Sequence, residues 1–279
     1  MGIETWFQQY EALLRMGFFF SILLLMLVWQ EQQPRRKFNI KRSVRWFNNL
    51  SIIIVNSVLM RLLVPAGTVA VALWAKHNNI GLFNQSDVPY WLEVVVAIVI
   101  LDCLIYWQHR LFHRIPSLWR LHRMHHMDQD IDVTTGARFH PVEIFLSLLI
   151  KFAAVIILGV DVVAIVLFEI ILNATSMFNH ANVNIPTKLD NLLRKVIVTP
   201  DMHRVHHSQI NSETDSNFSF NLSIWDKLFS TYQAQPALGH DGMNIGLKEF
   251  NDIRQTQYLL GMLLSPFGKN EHKSKQKKT

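Results

Sequence analysis

The sequence predicts an all-α, polytopic membrane protein, with about four to five transmembrane helices and a cytosolic helical cap that carries a cluster of histidines. Three observations predict it. The chain of 279 residues is 50% hydrophobic and only 17% charged, whereas soluble domains carry about a quarter charged residues. Its apolar residues gather in blocks approaching the ~20 residues needed to cross ~30 Å of hydrocarbon. Nine of its thirteen histidines fall in short patterns just beyond the ends of those blocks.

The first block runs from about Ala12 to Trp29, with GFFFSILLLMLVW at its centre. It does not read as a cleaved signal peptide. Acidic residues (Glu4, Glu11) precede it, no A-x-A-like site follows, and the basic cluster lies after the apolar run. The second block, about Leu50 to Trp74, is interrupted by Arg61 and Pro65. The third runs from about Tyr90 to Trp107. The fourth and fifth, about Pro141 to Leu158 and Asp161 to Phe178, are separated only by Gly159 and Val160, which predicts a tight helical hairpin. No repeat or low-complexity linker divides the chain. It reads as a single membrane domain, 1–279, with N-terminal spans (1–100), a histidine-rich catalytic region (101–232) containing the 141–178 hairpin, and a C-terminal interfacial segment and basic tail (233–279).

Orientation follows from the distribution of positive charge. Arg35, Arg36, Lys37, Lys41, Arg42 and Arg45 place the first loop in the cytoplasm, so the N-terminus lies outside. Counting spans onward brings every histidine cluster to the cytoplasmic face, of a bacterial inner membrane or the endoplasmic reticulum. Lys151 and Glu169 lie nine residues on either side of Val160, so the hairpin puts them at equal depth and predicts a buried ion pair. Asp102 is the candidate partner for Arg61. The net charge of +6 sits in runs beside apolar blocks (Arg35 to Arg45, Lys269 to Lys278), a footprint of lipid headgroups and not of nucleic acid. The single cysteine, Cys103, excludes a disulfide or a thiolate metal site within one chain.

The histidines form an ordered series: His109-x3-His113 in YWQHRLFHR, His122-x2-His125-His126 in RLHRMHHM, His180 in MFNHAN, and His203-x2-His206-His207 in TPDMHRVHHS. Residues three and four apart share a helix face, so each HxxHH triplet can offer three imidazoles from one stripe. At this histidine frequency chance yields about 0.03 HxxHH triplets per chain, and two are present. Nine imidazoles exceed the need of one ion and suit two ions of five or six coordination. Imidazole accepts iron, zinc, copper or nickel, but zinc cannot share the electrons that reduce O2. A site built against lipid faces inert C–H bonds, which offer no handle to acid–base or nucleophilic catalysis and call for oxygen chemistry.

The series HxxxH, HxxHH, a lone histidine after a hairpin, then HxxHH resembles the fatty acid hydroxylase/sterol desaturase superfamily. The words RFHPVE, FNHAN, TPDMHRVHHS and NFSFNLSIWDKLFSTY are similar to that family as well. The resemblance covers about Leu101 to Tyr232. It implies an O2-dependent, non-haem diiron enzyme with two iron ions that hydroxylates or desaturates a membrane lipid such as a sterol or acyl chain. Its electrons would come from a separate donor protein of the cytochrome b5, ferredoxin or flavin reductase type. Carried over by position, His109, His113, His122, His125, His126, His180, His203, His206 and His207 are the implied metal ligands. Some family members have a second histidine where this chain has Asn184, so Asn184, Asn182 or water is left to complete one shell. Two other readings remain open on the residues alone: a zinc-dependent membrane hydrolase, and a metal-transporting or metal-sensing protein.

Several residues carry blander readings. His140, before Pro141, is a candidate ligand but suits a structural or supporting contact better. Asp128, Asp130, Asp132, Asp201 and Asp215 can hydrogen-bond the outer nitrogens of ligand rings, Asp201 foremost because it adjoins a triplet. His77, His240 and His272 read as surface residues. In KLDNLLRKVIV, Leu189, Leu192, Leu193, Val196 and Ile197 share one face and Arg194 and Lys195 the other, a pattern for lying in the membrane interface. YLLGMLLSPF near the end is a weaker case of the same kind.

Overall fold

A computed structural model describes residues 2–268, and the predicted basic tail, with His272, lies outside the described residues. The described chain is helical, with isolated bridges in place of strands. Five segments are long and apolar enough to cross a membrane. They are α1 (Ile3–Gln32), the pair α2 (Arg42–Leu63) and α3 (Gly67–His77), α4 (Tyr90–Arg114), α6 (Pro141–Leu158) and α7 (Val162–His180), with α5 (Pro116–His126) between α4 and α6. Their outward residues are apolar: Phe20, Leu24, Leu62 and Ile157 are each more than 60% exposed. A water-soluble helix would present charge there, so this surface suits lipid.

Packing among the spans relies on small residues. Ala72, Ala97 and Ala164 are buried where α3, α4 and α7 meet, beside Val69, Leu101, Val166 and Phe168. Lipid is as apolar as leucine, so close backbone approach rather than water exclusion holds such helices together. α1 lies along α7 through Met26, Met177 and their neighbours. At one end of the bundle the α6–α7 turn is closed by Gly159 in the left-handed region (φ 71°) and by Asp161, whose side chain accepts from Val163 N at 2.8 Å. A Cβ on Gly81 would meet the Gly159 backbone at 2.2 Å, so two glycines are needed where this loop crosses the turn. Lys76 reaches Glu4 (2.6 Å) and Asp161 (3.3 Å) there.

The hairpin aligns Lys151 and Glu169 as expected, Nζ to Oε1 at 2.7 Å. Arg61 does not meet Asp102, whose carboxylate instead accepts from Trp225 Nε1 (2.7 Å) and Leu222 N (3.1 Å). The break after Leu63 comes where Pro65 removes a backbone donor.

The opposite end carries the cap. It comprises α5, α8 (Thr187–Leu193), α9 (Pro200–His206), α10 (Asn211–Thr214), α11 (Ile224–Leu228), α12 (Gly239–Gly242), α13 (Ile253–Gln257) and α14 (Leu259–Leu264). The loop after α1 is tied here: Arg35 N donates to Asn182 O, and Asn184 N to Gln33 O. The basic loop and the histidines therefore share one end of the bundle. α2 stands half inside the cap, because Arg45 is wholly buried against Asp128 (2.8 Å) and Asp132 (2.5 Å). These acids, with Asp130 holding Asn39 N and Ile40 N at 2.7 Å, brace the fold and do not reach metal-site rings.

The amphipathic segment is shorter than its pattern. α8 ends at Leu193, and Arg194 turns inward to pair with Asp190 and Ala234 O instead of facing solvent. Leu189, Leu192 and Val196 remain exposed. In α14, Met262 is buried against Ile52 and Met124, while Leu260 and Leu264 face outward.

Candidate metal centre

Four elements supply the nine histidines. α4 ends with His109 and His113 one turn apart, and Pro116 at its first turn starts α5, which presents His122, His125 and His126. α7 ends at His180. Thr199 caps α9 with Pro200 in its first turn, so His203, His206 and His207 close that helix. All nine are at most 4% exposed.

The structure brings them together as two groups. His109, His113, His122, His126 and His206 form one, and His125, His180, His203 and His207 the other, with ligand atoms within 4.8 Å of one another inside each group. Neither triplet serves one group as a single stripe. His122 and His126, four apart, face one way, and His125 points to the second group. His203 and His207 likewise pair in the second group while His206 joins the first. A residue at i+3 falls short of a full turn and one at i+4 passes it, so a helix lying between two sites divides its triplet in this way.

The chemistry of the donor set fits metal. Burial pushes His122 down to about 3. Burial, then the neighbouring rings, holds His125, His126, His203, His206 and His207 well below the usual imidazole value. Neutral rings have one donor nitrogen and one lone pair. The Nδ1–H of His109 donates to Phe218 O (2.7 Å), that of His206 to Ser216 O (2.7 Å), and that of His180 to Ser176 O (2.6 Å). His122 Nδ1 meets Glu143 Oε1 at 2.7 Å. A carbonyl can only accept, so these outer bonds assign Nε2 as the lone pair in His109, His180 and His206. Yet His109 Nε2 lies 3.1 Å from His122 Nε2, and His180 Nε2 lies 3.1 Å from His125 Nε2 and 3.0 Å from His203 Nε2. Ring nitrogens gathered this closely, with their outer nitrogens held on backbone carbonyls at His109, His180 and His206, form a donor set that a cation fits. The Nε2 atoms of His126 and His206 are buried without a hydrogen-bond partner among the described residues.

The remaining candidates lie elsewhere. Asn184 is exposed. Asn182 spends both ends of its amide on the Arg36 backbone (3.0 and 2.7 Å). His140 caps α6, its Nδ1 accepting from Val142 N (3.2 Å) and its Nε2 meeting Leu263 O (3.2 Å). Asp201 pairs with Arg204 and with Arg35 (3.4 Å), and no ring of the nine is among its partners. It faces His240, which is buried and not a surface residue. Of the five aspartates, among the described residues only Asp215 comes within ion-pair distance of one of the nine rings, 3.4 Å from His113 Nδ1. Sequence reasoning missed Glu143. Its signal is a carboxylate in the first turn of an apolar span, where an unpartnered charge is costly. The carbonyl partners could not be read from residue types at all. They are set by Asn217, left-handed at φ 50°, whose amide holds Met202 O (2.9 Å) and Gln233 O (2.8 Å) so that the flanking carbonyls of Ser216 and Phe218 face the rings.

A cavity of about 630 Å³ opens from this site into the spans. His109, His122 and Glu143 line its inner end with Phe112, Phe139 and Phe220, and Lys151, Glu169 and Arg61 line it further out.

Comparison with known proteins agrees with the geometry. The fatty acid hydroxylase family model matches residues 94–231. An ornithine lipid hydroxylase of Rhizobium tropici is 26% identical, covering 78% of this chain and 66% of the relative. Human alkylglycerol monooxygenase is 28% identical over 63% of this chain, but the match spans only 38% of that protein. Methylsterol monooxygenase 2-2 of Arabidopsis thaliana is 26% identical, covering 67% of this chain and 68% of the relative. No solved structure matches. The family match contains all nine histidines, Glu143 and Asn217, and with these relatives it shows that the chain belongs to the fatty acid hydroxylase/sterol desaturase superfamily.

Proposed function

We propose that this protein is an O2-dependent lipid hydroxylase, monooxygenase or desaturase that oxidises a C–H bond of a membrane lipid at a centre of two iron ions. The observation that carries this reading is the convergence of nine buried imidazoles in groups of five and four at the inner end of a cavity cut into the membrane spans. One ion would be held by His109, His113, His122, His126 and His206, the other by His125, His180, His203 and His207. Two such ions supply the activation of O2 that an unreactive C–H bond requires.

The chain's own residues bind, orient and exclude. Phe112, Phe139 and Phe220 wall the inner cavity and keep bulk water from the reacting carbon. Glu143, through its bond to His122, fixes the ring that borders the substrate. Gln108 and Ser147, bonded to each other at 3.0 Å, give the cavity wall a polar rung one turn from the histidines. No flavin or nicotinamide fingerprint occurs in the sequence, so the electrons come from a separate protein. The cap faces the cytoplasm and the N-terminus lies outside, in a bacterial inner membrane or the endoplasmic reticulum, and the chain acts as one unit. Histidines gathered at one end of the bundle suit catalysis better than ion passage, which needs ligands spread through membrane depth.

Metal analysis of the purified protein joined to oxygen consumption tests the reading. About two irons per chain, lost in His125→Ala together with oxygen uptake on added lipid, is the expected result. Stoichiometric zinc with lipid turnover in the absence of oxygen overturns it.

A further inference from the structure

We propose that the outer half of the cavity is an anchor for an oxyanion carried by an amphipathic lipid, held by Arg61, Lys151 and Arg15. The assignment rests on the lipid-oxidation reading and names how its substrate is positioned.

Four charged side chains line this part of the cavity: Arg15, Arg61, Lys151 and Glu169. Glu169 is fully engaged. Its Oε1 accepts from Lys151 (2.7 Å) and Thr68 Oγ1 (2.9 Å), and its Oε2 faces Arg15 at 2.8 Å. Arg15 also meets Glu11 at 3.2 Å, yet its Nε is buried without a hydrogen-bond partner. Arg61 makes no hydrogen bond or ion pair among the described residues, although it lies within a membrane-spanning segment. Asn56, five residues earlier, donates to Phe139 O at the entry to α6, which sets Arg61 about 7 Å further along.

Charge decides the ligand class. A guanidinium inside a span is costly without an anionic partner, and the described residues supply none to Arg61. A cationic ligand would face three cations and one saturated carboxylate. An acyl tail would place methylenes against these charges and leave them desolvated. An oxyanion satisfies Arg61 and the free donors of Arg15 and Lys151 together. Lys151 lies eight residues beyond Glu143 on α6, so anchor and metal site are separated by about 12 Å of helix rise. The lipid is thus measured from its anionic end, and that distance selects the carbon brought to His109 and His122.

The test uses the full-length protein in nanodiscs of phosphatidylcholine, with tritiated oleate as the probe. Unlabelled oleate and oleoyl lysophosphatidate are expected to displace it, monooleoylglycerol about tenfold or more weakly, and inorganic phosphate not at all. Arg61→Gln removes no native contact and is expected to weaken oleate about tenfold while leaving monooleoylglycerol unchanged. Lys151→Gln, which removes one cation of the anchor while Arg15 and Thr68 still hold Glu169, is expected to do the same. Equal binding of the neutral glyceride by the parent protein, or unchanged oleate affinity in both variants, overturns the anchor. Displacement by phosphate as effective as by oleate overturns the lipid as its source. Iron content and oxygen uptake are measured on the same preparations. Selective oleate binding without iron or uptake would sink the oxidation reading alone, and oxidation without selectivity would sink the anchor alone.

Discussion

Glu143→Ala tests the division of the histidines into two groups. The carboxyl lies 2.7 Å from His122 Nδ1, and both residues are at most 5% exposed. Leaving a buried donor without its partner costs about 1–3 kcal/mol. At about 1.4 kcal/mol per tenfold, its loss weakens metal binding through His122 by about 10- to 100-fold, the range seen for outer partners of metal ligands. The loss is local. His125, His180, His203 and His207 have no contact with Glu143, so their group keeps its ion. Dialysis against a graded chelator series, followed by elemental analysis, is expected to show two metals per chain in the parent and one in Glu143→Ala at intermediate chelator. Glu143→Gln, which retains an acceptor oxygen for Nδ1–H, is expected to fall between them. Release of both ions together, or a parent-like profile in Glu143→Ala, refutes the assignment of this carboxyl and the independence of the two groups.

Arg45→Met strands Asp132 as an unpaired buried charge and leaves Asp128 only the longer pair with Arg138 (3.7 Å), a loss of about 3–5 kcal/mol; a fall of several degrees in thermal midpoint checks it, and an unchanged midpoint contradicts the brace. Asn217→Gly keeps the left-handed backbone that Asn217→Ala strains by about 1 kcal/mol. The alanine variant is therefore expected to be the less stable, while both lose metal affinity because neither holds Met202 O and Gln233 O. His240 is pushed down to about 4 by burial against the pull of Asp201. Its folded value lies below the unfolded one, so the unfolded chain takes up the extra proton and stability falls as pH drops from about 6.5 toward 4. His240→Gln removes that term, and its thermal midpoint relative to the parent is expected to rise on going from pH 7.5 to 5, by the equivalent of about 1–2 kcal/mol. An identical offset at both pH values removes His240 as the cause.

The spans, the hairpin and the nine clustered histidines were legible because each is written in local spacing. An apolar run of fixed length reports a crossing, Gly159 followed by Asp161 reports a turn, and two improbable HxxHH triplets report a shared role. The Lys151–Glu169 pair could be read because symmetry about Val160 fixes relative depth. What could not be read were partners brought in by the fold. Asp201 adjoins a triplet in sequence, but one residue before Met202 on a short helix it points to Arg204 and Arg35, away from the rings. Asp128 and Asp132 follow His126 closely, yet Arg45 from a distant helix claims them. Arg194 carries the charge pattern of a solvated face and is instead turned inward by Asp190. Backbone carbonyls, which hold three of the nine rings, have no residue type to betray them.

The two groups are not equivalent, and their difference bears on how the site works. Every ring known to border the cavity, His109 and His122, belongs to the five-histidine group. That group is also the more firmly held, through Phe218 O, Glu143 and Ser216 O. In the four-histidine group only His180 has such a bond, and the Nδ1 atoms of His125, His203 and His207 are buried without hydrogen-bond partners among the described residues. An ion held by the four-histidine group would lie behind one held by the other group as the lipid sees it, in a shell freer to adjust. A change there acts on turnover without touching the lipid. His207→Ala is expected to lower oxygen uptake sharply while tritiated oleate binds with parent affinity. If oleate affinity falls in step with uptake, the second group borders the substrate as well, and the front-and-back arrangement argued here is wrong.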